Sequence, residues 1–241
     1  MNYAKEPINL TYHIKDKEKI LSFLKSEELV ILPETDNIKC ANVYYQKKLK
    51  GTRKEIYILP SVKNRIQNIA NIMKEKYDSG IYVFDAYRSH TTQKSIFKMI
   101  CNQIRDKNKT DSEVEIINKA KKFAANPDEP SHYPVSPHTT GAVIDLTFFY
   151  LKTGNLWRMG TCFDDTTEKS YIDYYEKNSL NGSKDIQNNR RILFNLMKDH
   201  DFVNYSNEWW HYGIGDCIWS KNVGLDEYLP EKKYKESNNE N

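Results

Sequence analysis

Apolar positions recur with a helical period over residues 61–78, where Val62, Ile66, Ile69, Ala70, Met73 and Tyr77 fall on one face behind Pro60 and a Ser61 cap. The spacing predicts a core-facing helix that Gly80 ends. The next run, IYVFDAYR (81–88), is rich in β-branched and aromatic residues and predicts a strand in which Tyr82, Phe84, Ala86 and Arg88 share a face. A second amphipathic helix follows, carrying Ile96, Met99, Ile100 and Ile104. Residues 110–125 predict a third, exposed and charged, opened by T-D-S-E in the capping-box form of Ser or Thr three residues before Glu. Four of the eight prolines crowd NPDEPSHYPVSPH (126–138), which therefore reads as a stiff irregular loop. A fourth helix is expected after Ser183, with Ile186, Leu193, Leu196, Met197 and His200 turned inward. The aromatic FVNYSNEWWHYGIG (202–215) then predicts a buried strand or hairpin.

Helices and strands alternate without a steady strand-helix-strand rhythm, which predicts an α+β fold with a central antiparallel or mixed sheet flanked by helices. The 241 residues suffice for one sizeable core. We expect a single domain over 1–229, its motifs concentrated in about 60–215, and a disordered polar tail over 230–241. The 36 Lys and Arg against 33 Asp and Glu leave a formal charge of +3, too even to point to nucleic acid or a membrane surface. No apolar segment follows the opening MNYAKEPINLTYHIKDKEK, and no stretch approaches the roughly 18 apolar residues of a membrane span, so a cytoplasmic protein is expected. Cys40, Cys101, Cys162 and Cys217 are scattered, which suggests buried thiols rather than disulfides or a thiolate zinc site.

The chemistry lies in SPHTTGAVIDL (136–146). A carboxylate at Asp145 among Val143, Ile144, Leu146, Phe148 and Phe149 must find a partner or lose its charge. His138 stands seven positions earlier, with Gly141 between them where the chain must turn. A catalytic zinc site needs three protein ligands and one open position, and E-W-W-H (208–211) supplies the best distant donors: His211 as ligand and Glu208 as general base for a metal-bound water. In a flat strand positions 208 and 211 face opposite ways, so a turn or bulge is predicted between them. Taken singly, each His reads more readily as a satisfied core residue than as a ligand, Asp145 as a cap or an ion-pair partner and Arg88 as a structural salt bridge.

Taken together, S-P-H-T-T-G-A-V-I-D and the distant E-W-W-H resemble the zinc D-alanyl-D-alanine dipeptidases of the vancomycin-resistance type, within the wider D,D-carboxypeptidase and Hedgehog-like fold. F-D-A-Y-R at 84–88, M-G-T-C-F-D at 159–164 and N-R-R-I-L-F-N-L-M at 189–197 extend the resemblance over roughly 60–215. It implies one Zn2+ per chain on His138, Asp145 and His211, Glu208 as base and Arg88 as the cation that stabilises the oxyanion. It also implies substrate contacts from Ser136, near the carboxylate end, and Asp164, to the ammonium group of a small D,D-dipeptide. Val143 replaces the family's usual Ala, and Ser89 replaces the Pro that tends to follow the arginine. The first 50 residues match no motif. Two other readings share the metal motif: a D,D- or L,D-carboxypeptidase or endolysin-like peptidase on peptidoglycan stem peptides, and a zinc-stabilised binding module without catalysis.

Overall fold

Residues 2–129, 135–178 and 183–234 are described by the computed structural model. Its elements run α1 (Lys17–Ser26), β1 (Val30–Ile31), β2 (Ile38–Cys40), α2 (Val43–Gln46), β3 (Tyr57–Ile58), α3 (Pro60–Tyr77), β4 (Ser79–Asp85), α4 (His90–Lys107), α5 (Glu113–Ala120) and β5 (Val143–Tyr150). Then come α6 (Tyr174–Lys177), α7 (Lys184–Lys198), β6 (Val203–Asn204), β7 (His211–Gly213) and α8 (Cys217–Val223). A mixed sheet takes the order β2-β4-β5-β7-β6, parallel only between β2 and β4, and β1 pairs with β3 in a separate ribbon. This is the expected α+β domain. The central strand β5 is buried from Val143 through Phe149 and exposes only Tyr150, as a strand covered on both faces must.

Helix α3 lays Val62, Ile66, Ile69, Ala70 and Met73 into the core against β4, as its period predicts. Its start differs from expectation. Pro60 occupies the first helical position, and the cap is the Glu27 carboxylate, which accepts from the Ser61 N–H at 3.0 Å and the Ser61 hydroxyl at 2.7 Å. A carboxylate there satisfies free N–H groups and meets the positive end of the helix dipole. Gly80 does not end the helix either. Asp78, in the left-handed region, does so, and Gly80 lies inside β4, where a Cβ would come within 2.6 Å of both the Asn37 carbonyl and the Phe149 ring.

The third helix is shorter than expected, because the reciprocal capping box forms on Ser112 and Glu115 and not on Thr110. It also buries Ile116 and Ala120 beside Ile96, Phe97 and Cys101 of α4, so it is charged on one face only. Ser89 caps α4, accepting from Thr92 N–H at 3.2 Å, which gives this chain's replacement of proline a physical role. All four cysteines are free; Cys101 and Cys217 are buried, whereas Cys40 is half-buried and Cys162 exposed, so the expectation of four buried thiols holds for two. Among the described residues no helix is long and apolar enough to cross a membrane.

Residues 230–234, expected to open a disordered tail, are held on the domain. Lys232 N–H donates to the Thr139 carbonyl at 2.8 Å, and Tyr87 OH donates to the Lys232 carbonyl at 2.7 Å. Tyr234 packs edge-on against Tyr57 and Tyr87, with ring centroids 4.7 and 4.8 Å apart. One aromatic anchor outweighs a polar composition there. Residues 235–241, and 130–134 of the proline-rich loop, lie outside the described residues.

Candidate active site

Three neighbouring strands bring the chemistry together. A register shift between Val83 and Asp85 sets Asp85 opposite Asp145 across β4 and β5, and Asp145 is itself opposite His211 across β5 and β7. His138 arrives from the 3-10 turn Pro137–Thr140, which Gly141 ends with φ +73°. An alanine at 141 would adopt a left-handed conformation and place its Cβ 2.4 Å from Leu29 Cδ2. Gly141→Ala is therefore expected to lower stability by about 1–3 kcal/mol and to weaken metal binding through His138, checked by denaturant midpoint and zinc titration.

The turn predicted between Glu208 and His211 is present. Glu208 N–H donates to the Tyr205 carbonyl at 2.9 Å and His211 N–H to the Glu208 carbonyl at 3.3 Å. The Asn204 amide spans the turn, donating at 2.9 Å to the carbonyls of both Glu208 and His211. Trp209 and Trp210 are buried on either side of the bend, and Trp209 Nε1 donates to Thr161 Oγ1 at 2.8 Å. The aromatic pair thus anchors the backbone while Glu208 and His211 turn toward Asp145, with Glu208 Oε2 3.6 Å from His211 Nδ1.

His138, Asp145 and His211 form a buried cluster of potential metal ligands. His138 Nε2 lies 3.3 Å from His211 Nδ1 and 3.4 Å from Asp145 Oδ2, and His211 Nδ1 lies 3.3 Å from Asp145 Oδ1. Tetrahedral zinc with bonds of about 2.0–2.1 Å separates its ligands by about 3.3 Å; the two imidazoles already stand that far apart, each faces a different oxygen of Asp145 at that distance, and one donor atom from each residue lies within 4.8 Å of the others. Asp145 Oδ1 is buried without a hydrogen bond, as a donor awaiting a cation would be. The His138 Nδ1 sits 2.6 Å from the Ala86 carbonyl; donation there assigns the proton to Nδ1 and leaves the Nε2 lone pair facing the cluster. The residues fit a zinc ion.

Electrostatics within the cluster follow from burial. Burial, reinforced by Arg88, pushes the His138 imidazole down to about 4, which keeps it neutral as a ligand must be. Burial pushes the Asp145 carboxyl upward, but the two imidazoles outweigh it and hold the group below the usual carboxylate range. Glu208 is pushed up to about 7 by burial, with Asp145 adding and His211 opposing. A carboxylate so disposed accepts and returns protons near neutral pH.

Asp145 also has a protein partner, as its reading as an ion-pair partner anticipates. Arg88, buried at the end of β4, donates from Nη2 to Asp145 Oδ2 at 2.9 Å and from Nε to Asp85 Oδ2 at 2.5 Å. Its guanidinium lies over the Tyr44 ring at 5.0 Å. Tyr44 OH donates in turn to Asp164 Oδ1 at 2.8 Å, so Asp164 joins the site through a short chain of contacts. Asp164 takes φ +63°, on a segment whose flanks Arg190 clamps by donating to the carbonyls of Met159, Lys169 and Tyr171. Ser136 is half-buried just before His138, its carbonyl accepting from Thr139 N–H at 3.0 Å. Sequence reasoning missed Asp85, Tyr44 and Asn204. The Asp-x-x-Arg spacing within F-D-A-Y-R was a signal for the first; the other two carry none.

Residues 42–228 match the family described as D-ala-D-ala dipeptidase. A D-alanyl-D-alanine dipeptidase of Enterococcus faecium is 42% identical over 82 residues, 34% of this chain and 38% of that protein. One from Synechocystis sp. is 29% identical over 153 residues, 58% of this chain and 61% of that protein. The chain thus spans less than two-thirds of the length of these curated relatives. Among solved structures, VanYB in complex with D-alanine-D-alanine is similar at 16% identity and a TM-score of 0.39, covering 73% of this chain and 83% of that one. With the family match running over well more than half of its length, the chain belongs to the D-ala-D-ala dipeptidase family of peptidases.

Proposed function

We propose that this protein hydrolyses D-alanyl-D-alanine to D-alanine, with one zinc ion held by His138, Asp145 and His211 and with Glu208 as general base. The observation that carries the reading is the convergence of three buried residues whose donor atoms lie within 4.8 Å of one another, with the Glu208 carboxylate 3.6 Å from His211 Nδ1. Zinc so bound supplies Lewis-acid polarisation of the scissile carbonyl and lowers the pKa of water. The protein's own residues do the rest. Glu208 takes the proton of the attacking water and returns it to the leaving amine. Arg88, fixed by two carboxylates and a ring, is a preorganised cation for the charge that develops on the carbonyl oxygen. Asp164 receives the substrate's ammonium group, and Ser136 lies toward its carboxylate end.

Release of D-alanine from the dipeptide by zinc-loaded protein tests the reading directly; stoichiometric zinc without hydrolysis of the dipeptide or of longer stem peptides would reduce the chain to a binding module. Arg88→Ala is expected to lower kcat by roughly 100- to 1000-fold with little change in KM. Because that change leaves Asp85 and Asp145 buried without their cation, Arg88→Lys, which keeps the charge but loses the fork, is measured beside it. Wild-type kcat in both variants would make Arg88 purely structural.

A further inference from the structure

Helix α2 and the residue after it, where the sequence showed no motif, lie at the start of the family match and reach the site. Tyr44 is buried, with its hydroxyl on Asp164 and its ring under Arg88. Lys47, one turn on, places Nζ 3.3 Å from Asp164 Oδ2. The two oxygens of Asp164 are therefore both engaged, one by a neutral hydroxyl and one by an ammonium group that belongs to the protein. The lysine side chain is 40% exposed and the aspartate side chain 29%, so the cation stands on the solvent side, with the Tyr44 ring 5.4 Å away as its other contact. Burial pushes the Asp164 carboxyl up, with Lys47 and Tyr44 opposing, so the carboxylate gains from any ammonium group placed beside it.

We propose that Lys47 sets the charge selectivity of this site: it occupies Asp164 as a tethered ammonium group that a substrate's free amine must displace. The proposal rests on the reading of Asp164 as the amine-binding carboxylate. It has a definite consequence. An enzyme whose only counter-charge for Asp164 came from substrate would strongly reject a peptide with a blocked amine, because the carboxylate would be left half-buried and unpaired. With Lys47 in place that penalty is removed for the blocked peptide, and the free amine loses part of its advantage. Lys47 thus broadens the site toward D-Ala-D-Ala termini whose amine is acylated, the class to which longer peptides belong.

The test is the ratio of kcat/KM for D-Ala-D-Ala to that for N-acetyl-D-Ala-D-Ala. Lys47→Met is expected to raise this ratio roughly two- to fivefold, mainly through KM, and Lys47→Arg to leave it at the wild-type value. In an Asp164→Asn background Lys47→Met should have no further effect on the ratio. An unchanged ratio in Lys47→Met, or the same rise with and without Asp164, overturns the proposal. Dissociation constants of the two peptides for Glu208→Ala protein, with and without Lys47→Met, read the same selectivity without turnover. Binding without hydrolysis in the wild type would therefore sink the proposed reaction while the binding ratio still decides on Lys47, and binding of neither peptide would overturn both.

Discussion

Glu208→Ala is expected to lose turnover by about 100- to 10,000-fold while still binding one zinc ion per chain. The geometry separates the two roles. The bend at 204–211 is made by the Glu208 backbone, whose N–H and carbonyl are bonded to Tyr205, His211 and Asn204, so truncating the side chain leaves His211 in place. The carboxylate stands outside the triangle of donors, 3.6 Å from His211 Nδ1. In the proposed mechanism its contribution is to proton transfer and not to the fold. Zinc content by competitive chelator titration and D-alanine release measured on the same sample check this, and parallel loss of metal would make Glu208 a ligand. Glu208→Gln, which keeps the volume, should match the alanine variant in rate.

Asp145→Asn is expected to do the opposite: metal affinity falls by more than the roughly 10- to 100-fold that loss of an outer partner costs, and activity disappears with it. Folding should survive. In the wild type the buried carboxylates of Asp85 and Asp145 share one guanidinium, so an amide at 145 leaves Asp85 and Arg88 as a matched pair. Asp145→Ala, by contrast, also opens a void in the most buried strand and is expected to destabilise by a further ~1–3 kcal/mol. Thermal denaturation without metal separates the two variants; equal stability would mean that Asp145 contributes nothing to packing, and retained zinc in Asp145→Asn would remove it from the ligand set.

The parts of this site legible in the sequence are those where one residue type in an improbable place states its own requirement. Asp145 inside an apolar strand demanded a partner, which Arg88 supplies, Gly141 demanded a turn, and Glu208 and His211 three apart demanded a bend; each is found. What stayed hidden depends on pairing between distant segments. Asp85 meets Asp145 only because β4 shifts register, Tyr44 meets Asp164 across 120 residues, and Glu27 caps a helix that begins at Pro60. No local period encodes such contacts. The cap of the third helix was misplaced by two residues for a simpler reason: Thr110 and Ser112 both stand three before a Glu, and only packing of Ile116 and Ala120 on α4 chooses between them.

The position of β5 has a consequence for how the chain is made. Its two neighbours come from opposite sides in sequence, β4 ending at Asp85 and β7 beginning at His211. During synthesis β5 emerges with β4 available, and residues 155–157 turn back at once onto the far half of its other edge, but the half at Val143–Asp145 stays open until some sixty more residues have appeared. Such non-local pairing folds slowly, and an open apolar edge invites association between nascent chains. Yield of native protein should consequently depend on temperature and on the pace of translation, and, with the proposed ligand set, metal uptake should come last, since His211 is on the strand that closes that edge.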